Sequence, residues 1–136
     1  GRIRRRLDGK LLKLQQSKRI VWSLMDECIF CKIIEGKIPS QLVFENDSSI
    51  AFKDINPQAP THLLIVPKKH IEALSSADSG DAALLGEIQI TARDLARQMK
   101  LEGFRLVLNN GRIAGQTVDH IHYHLIGGRR LAWPPG

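Results

Sequence analysis

The sequence predicts an α+β domain: a mostly antiparallel sheet of about five strands, one long helix and a short N-terminal helix. Two observations carry this. Five short apolar runs are separated by turn residues, and one segment, from Asp81 to about Lys100, repeats Leu84, Leu85, Ile88, Leu95 and Met99 at helical spacing. The 136 residues are 43% hydrophobic and 25% charged, the balance of a globular domain with a real core.

The elements follow in order. Cys28 to Ile34 reads as a short helical turn that ends at Gly36. Leu42–Glu45 and Ile50–Asp54 read as strands joined through Asn46-Asp47-Ser48-Ser49, whose short polar side chains favour a tight turn. Asn56 to Pro60 is a loop, and His62–Val66 an apolar strand stopped by Pro67. Phe104–Leu108 is a further strand, and Asn109 to Gln116 a glycine-containing loop. Asp119–Ile126 is the last strand, and Trp133-Pro134-Pro135-Gly136 cannot continue a sheet.

That last strand carries the chemistry. His120, His122 and His124 alternate with Ile121, Tyr123 and Leu125. Residues two apart on a strand share a face, roughly 6.6 Å apart, so the three imidazoles are expected on one face with apolar residues behind. Such a face suits metal or phosphate chemistry. An imidazole attacks phosphorus only through a free lone pair, so its other ring nitrogen must carry and donate a proton, best to a fixed backbone carbonyl.

The formal charge of +6 invites a nucleic-acid reading, but its distribution opposes one. Residues 1–24 hold eight Lys or Arg and only Asp8 as an acid, which leaves twelve basic and thirteen acidic residues beyond them. The basicity belongs to a tail, so neither a nucleic-acid surface nor a membrane partner is expected of the domain, taken as 26–136. In the tail, Ile3, Leu7, Leu11, Leu14 and Val21 fall within about 80° on a helical wheel. A basic amphipathic helix, upstream or foreign sequence ahead of a natural start at Met25, and an Arg-rich targeting leader all fit that segment. No apolar run approaches the roughly 20 residues that span a bilayer. Both cysteines lie in Cys28-Ile29-Phe30-Cys31, a spacing for a metal clip or a redox pair more than a disulfide framework; two buried free cysteines are the plain alternative.

His-Ile-His-Tyr-His-Leu-Ile resembles the signature of the histidine-triad superfamily. Other blocks resemble its nucleotide-binding (Hint) branch: Phe52 through His62, Val66-Pro67-Lys68-Lys69-His70-Ile71, Gly115-Gln116-Thr117-Val118, Gly127-Gly128-Arg129 and the terminal Trp133-Pro134-Pro135-Gly136. The resemblance covers about residues 26–136. It implies a cytoplasmic homodimer that hydrolyses or transfers purine nucleotides, of the phosphoramidate class with a P–N bond, without a catalytic cofactor. His122 would be the nucleophile and form a nucleotidyl-histidine. His124 would polarise the phosphate, with Gln116 and Thr117 as further donors, and His62 would support the nucleophile or its proton transfer. Asp54 would take the ribose hydroxyls. Ile29, Phe30, Ile33, Phe52 and Ile55 would form the purine slot, with Asn109, Gly115 and Trp133 also at the nucleotide. The resemblance to bacterial-type members makes Cys28, Cys31, His70 and His120 a structural zinc site. Asp119 departs from the pattern, since aromatic residues are common there. The rival readings are a regulatory module that binds purine nucleotides with little turnover, a dinucleoside polyphosphate hydrolase, and a metalloprotein in which the triad itself holds the metal.

Overall fold

Residues 27–136 are described by the computed structural model; the expectations for the basic tail lie outside the described residues. Helix α1 spans Ile29–Ile34. Cys28 precedes it in extended conformation, and its Sγ accepts the Cys31 N–H at 3.4 Å, so a cysteine serves as the N-cap. Strands β1 (Leu42–Glu45) and β2 (Ser49–Lys53) form a hairpin. Asn46 Oδ1 closes its turn by accepting the N–H groups of Ser48 and Ser49 at 3.0 and 2.8 Å. Strand β3 runs Thr61–Pro67, helix α2 Ala82–Gln98, strand β4 Phe104–Leu108 and strand β5 Tyr123–Gly127. All pairings are antiparallel, in the order β1-β2-β3-β5-β4.

Strand alternation sorts the sheet's residues into two cores. Ala51, Leu63, Ile65, Tyr123 and Leu125 pack against Ile88, Ala92, Leu95 and Ala96 of α2. Ile50, Phe52, Leu64 and Val66 point the other way, onto Cys28, Phe30 and Cys31. The sheet is thus covered on both faces, by α2 on one and the α1 turn on the other.

Several boundaries differ from the sequence expectation; β3 runs one residue further at each end, so Pro67 closes the strand, opposite Ser49, and does not stand outside it. Helix α2 begins at Ala82, because Ser79–Asp81 forms a 3-10 turn capped by Asp78, not by Asp81. Buried Asp81 instead takes the Lys69 ammonium at 2.6 Å, and that contact holds its carboxyl below its ordinary value. Strand β2 stops at Lys53, leaving Asp54 just beyond it, though the Asp54 N–H still reaches the His62 carbonyl at 3.0 Å.

The histidine strand begins at Tyr123 rather than Asp119. Its expected first half leaves the sheet because the Ile121 N–H bonds the Ile71 carbonyl at 2.7 Å and the His120 ring turns into the cysteine pair. His120 therefore sits in a bend and His122 on the irregular lead-in to β5, and only His124 is a true strand residue. The histidine side is not an open front either: His120 is 0% and His122 5% exposed.

Candidate functional site

Each triad histidine has a different environment. His122 Nδ1 lies 2.7 Å from the His120 carbonyl oxygen. A carbonyl only accepts, so Nδ1 carries the proton and Nε2 keeps its lone pair. The Phe30 ring meets His122 edge-on at 5.0 Å between centroids, and Phe52 backs Phe30 at 5.6 Å. Burial pushes His122 below the ordinary imidazole value; the bond to the His120 carbonyl and the nearby Asp54 carboxylate pull partly back.

His62 and His124 form a directed pair. The Gln58 backbone N–H donates to His62 Nδ1 at 3.0 Å, so neutral His62 carries its proton on Nε2. That nitrogen lies 2.9 Å from His124 Nδ1 and 3.3 Å from Asp54 Oδ2. His124 Nδ1 accepts, which leaves the His124 proton on Nε2. The His122 and His124 rings lie 5.0 Å apart, so a bare nitrogen and an N–H donor are presented side by side. Burial lowers His62, with Asp54 opposing. His124 falls from 6.5 to about 4 through burial and the neighbouring charges of His122 and His62.

Neutral buried histidines tie stability to pH. An unfolded histidine binds a proton near 6.5, whereas folded His124 does so near 4. Between those values the unfolded chain holds more protons, so stability is full above about 6.5 and is lost as pH falls toward 4. Urea midpoints are expected to drop across that window. His124→Gln should reduce the slope by about one proton; an unchanged slope would contradict a neutral, buried His124.

A second cluster lies on the α1 side. Cys28 Sγ, Cys31 Sγ, His70 Nδ1 and His120 Nδ1 all lie within 4.8 Å of one another, three of the residues buried. His120 Nδ1 is 3.1 Å from His70 Nδ1, 3.3 Å from Cys28 Sγ and 3.5 Å from Cys31 Sγ. Tetrahedral zinc with ordinary bond lengths requires edges of about 3.3 Å for N···N and about 3.6 Å for N···S, so the donor set fits such an ion. The surroundings fit too. His120 donates Nε2–H to the Pro67 carbonyl at 2.8 Å, which turns the Nδ1 lone pair into the cluster. Burial takes His120 down to about 4, which keeps it a neutral ligand, whereas burial, then the hydrogen bond and charge of Cys28, push the Cys31 thiol up to about 12, so a thiolate there needs a bound cation to offset it. These four residues could hold a metal ion.

Asp54, His62 and His124 also bring three donor atoms together. There the surroundings oppose a metal. His62 would have to ligate through Nε2, but the Gln58 N–H on Nδ1 fixes the proton on Nε2. This trio is a hydrogen-bond chain.

The remaining predicted residues separate into groups. Ile29 and Ile55 are exposed, at 45% and 99%, and Ile33 is half-buried. Phe30 and Phe52 are buried against each other and supply a wall rather than an open surface. Thr117 is exposed on a cleft of about 320 Å³ shared with Ile29, His70, Glu72, Arg112 and Asp119. Asn109 lies beside Gly115, whose φ of +99° ends a 3-10 turn in a conformation that favours glycine. Trp133 is 81% exposed.

Gln116 differs from expectation. It is buried, its Nε2 donates to the Glu72 and Val118 carbonyls at 2.7 and 3.0 Å, and its Oε1 accepts the Gly111 N–H at 2.8 Å. Its amide is fully engaged in shaping the loop and offers no open donor. Asp119 pairs with Arg112 at 3.0 Å, and Arg112 also holds the Gln116 carbonyl, so the unexpected acid helps clamp this loop. The contributions of the Gln58 N–H, the Pro67 carbonyl and Arg112 were missed from sequence; two of these are main-chain groups with no residue-type signal.

His62 and His124 thus sit on adjacent central strands, β3 and β5, of a five-stranded antiparallel sheet. Residues 35–131 match the model of the HIT domain family. The chain belongs to the HIT family. An uncharacterized HIT-like protein of Synechocystis is 48% identical over 114 residues, which span 83% of this chain and 100% of that protein. The crystal structure of a HIT family hydrolase from Legionella pneumophila superposes with a TM-score of 0.80 at 52% identity, covering 81% of this chain and all of that one. A histidine triad nucleotide-binding protein from Candida albicans gives 0.68 at 38% identity, covering 79% and 83%. These likenesses place the chain among HIT proteins, whose similar members include one named a hydrolase and one named nucleotide-binding. Among the described residues no helix is long and apolar enough to cross a membrane.

Proposed function

We propose that this HIT protein, of the Hint branch, hydrolyses purine nucleoside 5′-phosphoramidates and related nucleotidyl conjugates through a nucleotidyl–His122 intermediate. The observation that carries the reading is the 2.7 Å bond from His122 Nδ1–H to the His120 carbonyl, which leaves Nε2 as a fixed lone pair in a small site. In the first step Nε2 attacks the α-phosphorus and the P–N bond breaks. The amine leaves with a proton drawn from solvent through the exposed Thr117 hydroxyl. The His124 Nε2–H holds a phosphate oxygen as charge shifts onto it. His122 becomes a phosphorylated imidazolium, its Nδ1–H still on the His120 carbonyl and the Asp54 carboxylate nearby. In the second step water attacks phosphorus, releases the nucleotide and one proton, and returns His122 to neutral imidazole.

In this reading Asp54 takes the ribose hydroxyls, and Ile29, Ile33 and Ile55 cover the purine against the Phe30–Phe52 wall. Asn109, Gly115 and Thr117 line the phosphate end, and Gln116 shapes their loop. Cys28, Cys31, His70 and His120 would hold a structural Zn²⁺, which when bound ties the α1 turn to the lead-in of β5 and takes no part in bond breaking. A homodimer is supported by β4, an edge strand that carries Phe104 at 45% exposure; light scattering tests it.

Rapid mixing with adenosine 5′-phosphoramidate, followed by a denaturing alkaline quench that preserves an N–P bond and then intact-mass measurement, is expected to show one adenylyl group per chain, mapping to His122. Turnover without any adduct, even in variants that slow the second step, would favour direct attack by water. Nucleotide binding without turnover would favour the regulatory module.

A further inference from the structure

The segment after the triad grips the loop that orients His62. Arg129 Nε donates to the Gln58 carbonyl at 3.0 Å, and its Nη1 donates to the Arg130 carbonyl at 3.0 Å. Gly128 has a φ of +90°, and a Cβ there would stand 3.0 Å from Pro60 Cβ, so the chain crosses directly over the 58–61 loop. That loop is braced internally: the Asn56 N–H bonds Asp54 Oδ1 at 2.8 Å, and Gln58 Nε2 bonds the Asn56 carbonyl at 3.0 Å. Its outcome is the Gln58 N–H held 3.0 Å from His62 Nδ1.

We propose that Arg129 is a positioning residue for the His62–His124 pair: by holding Gln58 at its carbonyl, it keeps the Gln58 N–H on His62 Nδ1 and so fixes which way the histidine chain points. With that N–H in place, His62 Nε2–H donates into His124 Nδ1, and the His124 proton faces outward on Nε2. When Gln58 slips, the Nδ1–H tautomer of His62 is released. Asp54 Oδ2, 3.3 Å from His62 Nε2, still favours the Nε2–H form, so the released tautomer is a minority, and in it His62 Nε2 accepts. His124 answers by moving its proton to Nδ1, and Nε2 loses its hydrogen. The guanidinium suits the task, because its rigid fork bridges two carbonyls of different chain segments at once.

The consequence for turnover rests on the reading in which His124 Nε2–H meets the phosphate; the tautomer itself does not. Two-bond ¹H–¹⁵N correlation spectra of protein with ¹⁵N-labelled histidine report the tautomers directly. In the wild type His62 and His124 are expected as Nε2–H. Arg129→Met keeps the aliphatic stem and deletes both donors. It is expected to bring a minor Nδ1–H population of His62 into the spectrum and lower kcat by up to about twofold at nearly constant KM, with an unchanged melting temperature. Arg129→Lys, which restores one donor, should recover part of the rate. Gly128→Ala, which lifts the same crossing, is a second route to the effect should Arg129→Met fold poorly. A His62 signal that stays wholly Nε2–H in these variants overturns the proposal. A tautomer shift with no change in kcat would uphold the positioning by Arg129 and sink instead the role given to His124.

Discussion

His122→Ala is expected to reduce phosphoramidate turnover at least 100-fold while purine nucleotide binding stays within about threefold. Loss of that size corresponds to at least about 2.7 kcal/mol of transition-state stabilisation, a modest demand for removal of a covalent step. Binding should survive because the nucleoside contacts assigned to Asp54, Ile29, Ile33 and Ile55 do not involve the imidazole. The packing is also forgiving: His122 borders Phe30 on one side and His124 on the other, and alanine leaves both in place. Steady-state rates with adenosine 5′-phosphoramidate and calorimetric titration with AMP separate the two effects. A variant that keeps more than about one hundredth of the wild-type rate removes His122 from the role of nucleophile. A variant that loses rate and AMP affinity together would show that the imidazole chiefly binds the phosphate.

The sheet was legible in the sequence because apolar runs, turn residues and the helical repeat of Leu84, Ile88 and Leu95 are local signals. The site was legible only in part, because its geometry depends on main-chain groups. Alternation along the histidine run suggested a uniform strand, but the Ile71 and Pro67 carbonyls draw Ile121 and His120 away from the sheet. The run is consequently divided: one imidazole turns to the cysteines, one stands on a carbonyl, and one joins His62. The side chain of Gln116 misled for a similar reason, since an amide on a glycine-rich loop looks like a ligand donor until its three partners are seen. Arg129 gave no signal of its own beyond its place in Gly127-Gly128-Arg129. The link from its guanidinium to His62 runs through the backbone of a residue 71 positions away.

Stripping metal from Cys28, Cys31, His70 and His120, or replacing both cysteines by serine, is expected to lower the melting temperature by about 10–15 °C. An ion bound at about a thousand times its dissociation constant contributes about 4 kcal/mol, and a domain of this size shifts by a few degrees per kcal/mol. Elemental analysis of protein purified without chelator should show about one zinc per chain. The same treatment is expected to slow turnover, although no cluster atom is assigned to bond breaking. His120 joins the two regions: its ring belongs to the cluster, and its carbonyl receives the His122 proton at 2.7 Å. Phe30, inside the Cys28–Cys31 turn, rests on His122 as well. A loosened cluster therefore frees both the carbonyl that fixes the His122 tautomer and the wall that fixes its ring. Readdition of Zn²⁺ should restore stability and rate in parallel for the wild type and neither for the serine variant. Zinc-free protein with two titratable thiols and undiminished stability would make the cysteines ordinary core residues. Lost stability at constant rate would confine the cluster to holding α1 on the sheet.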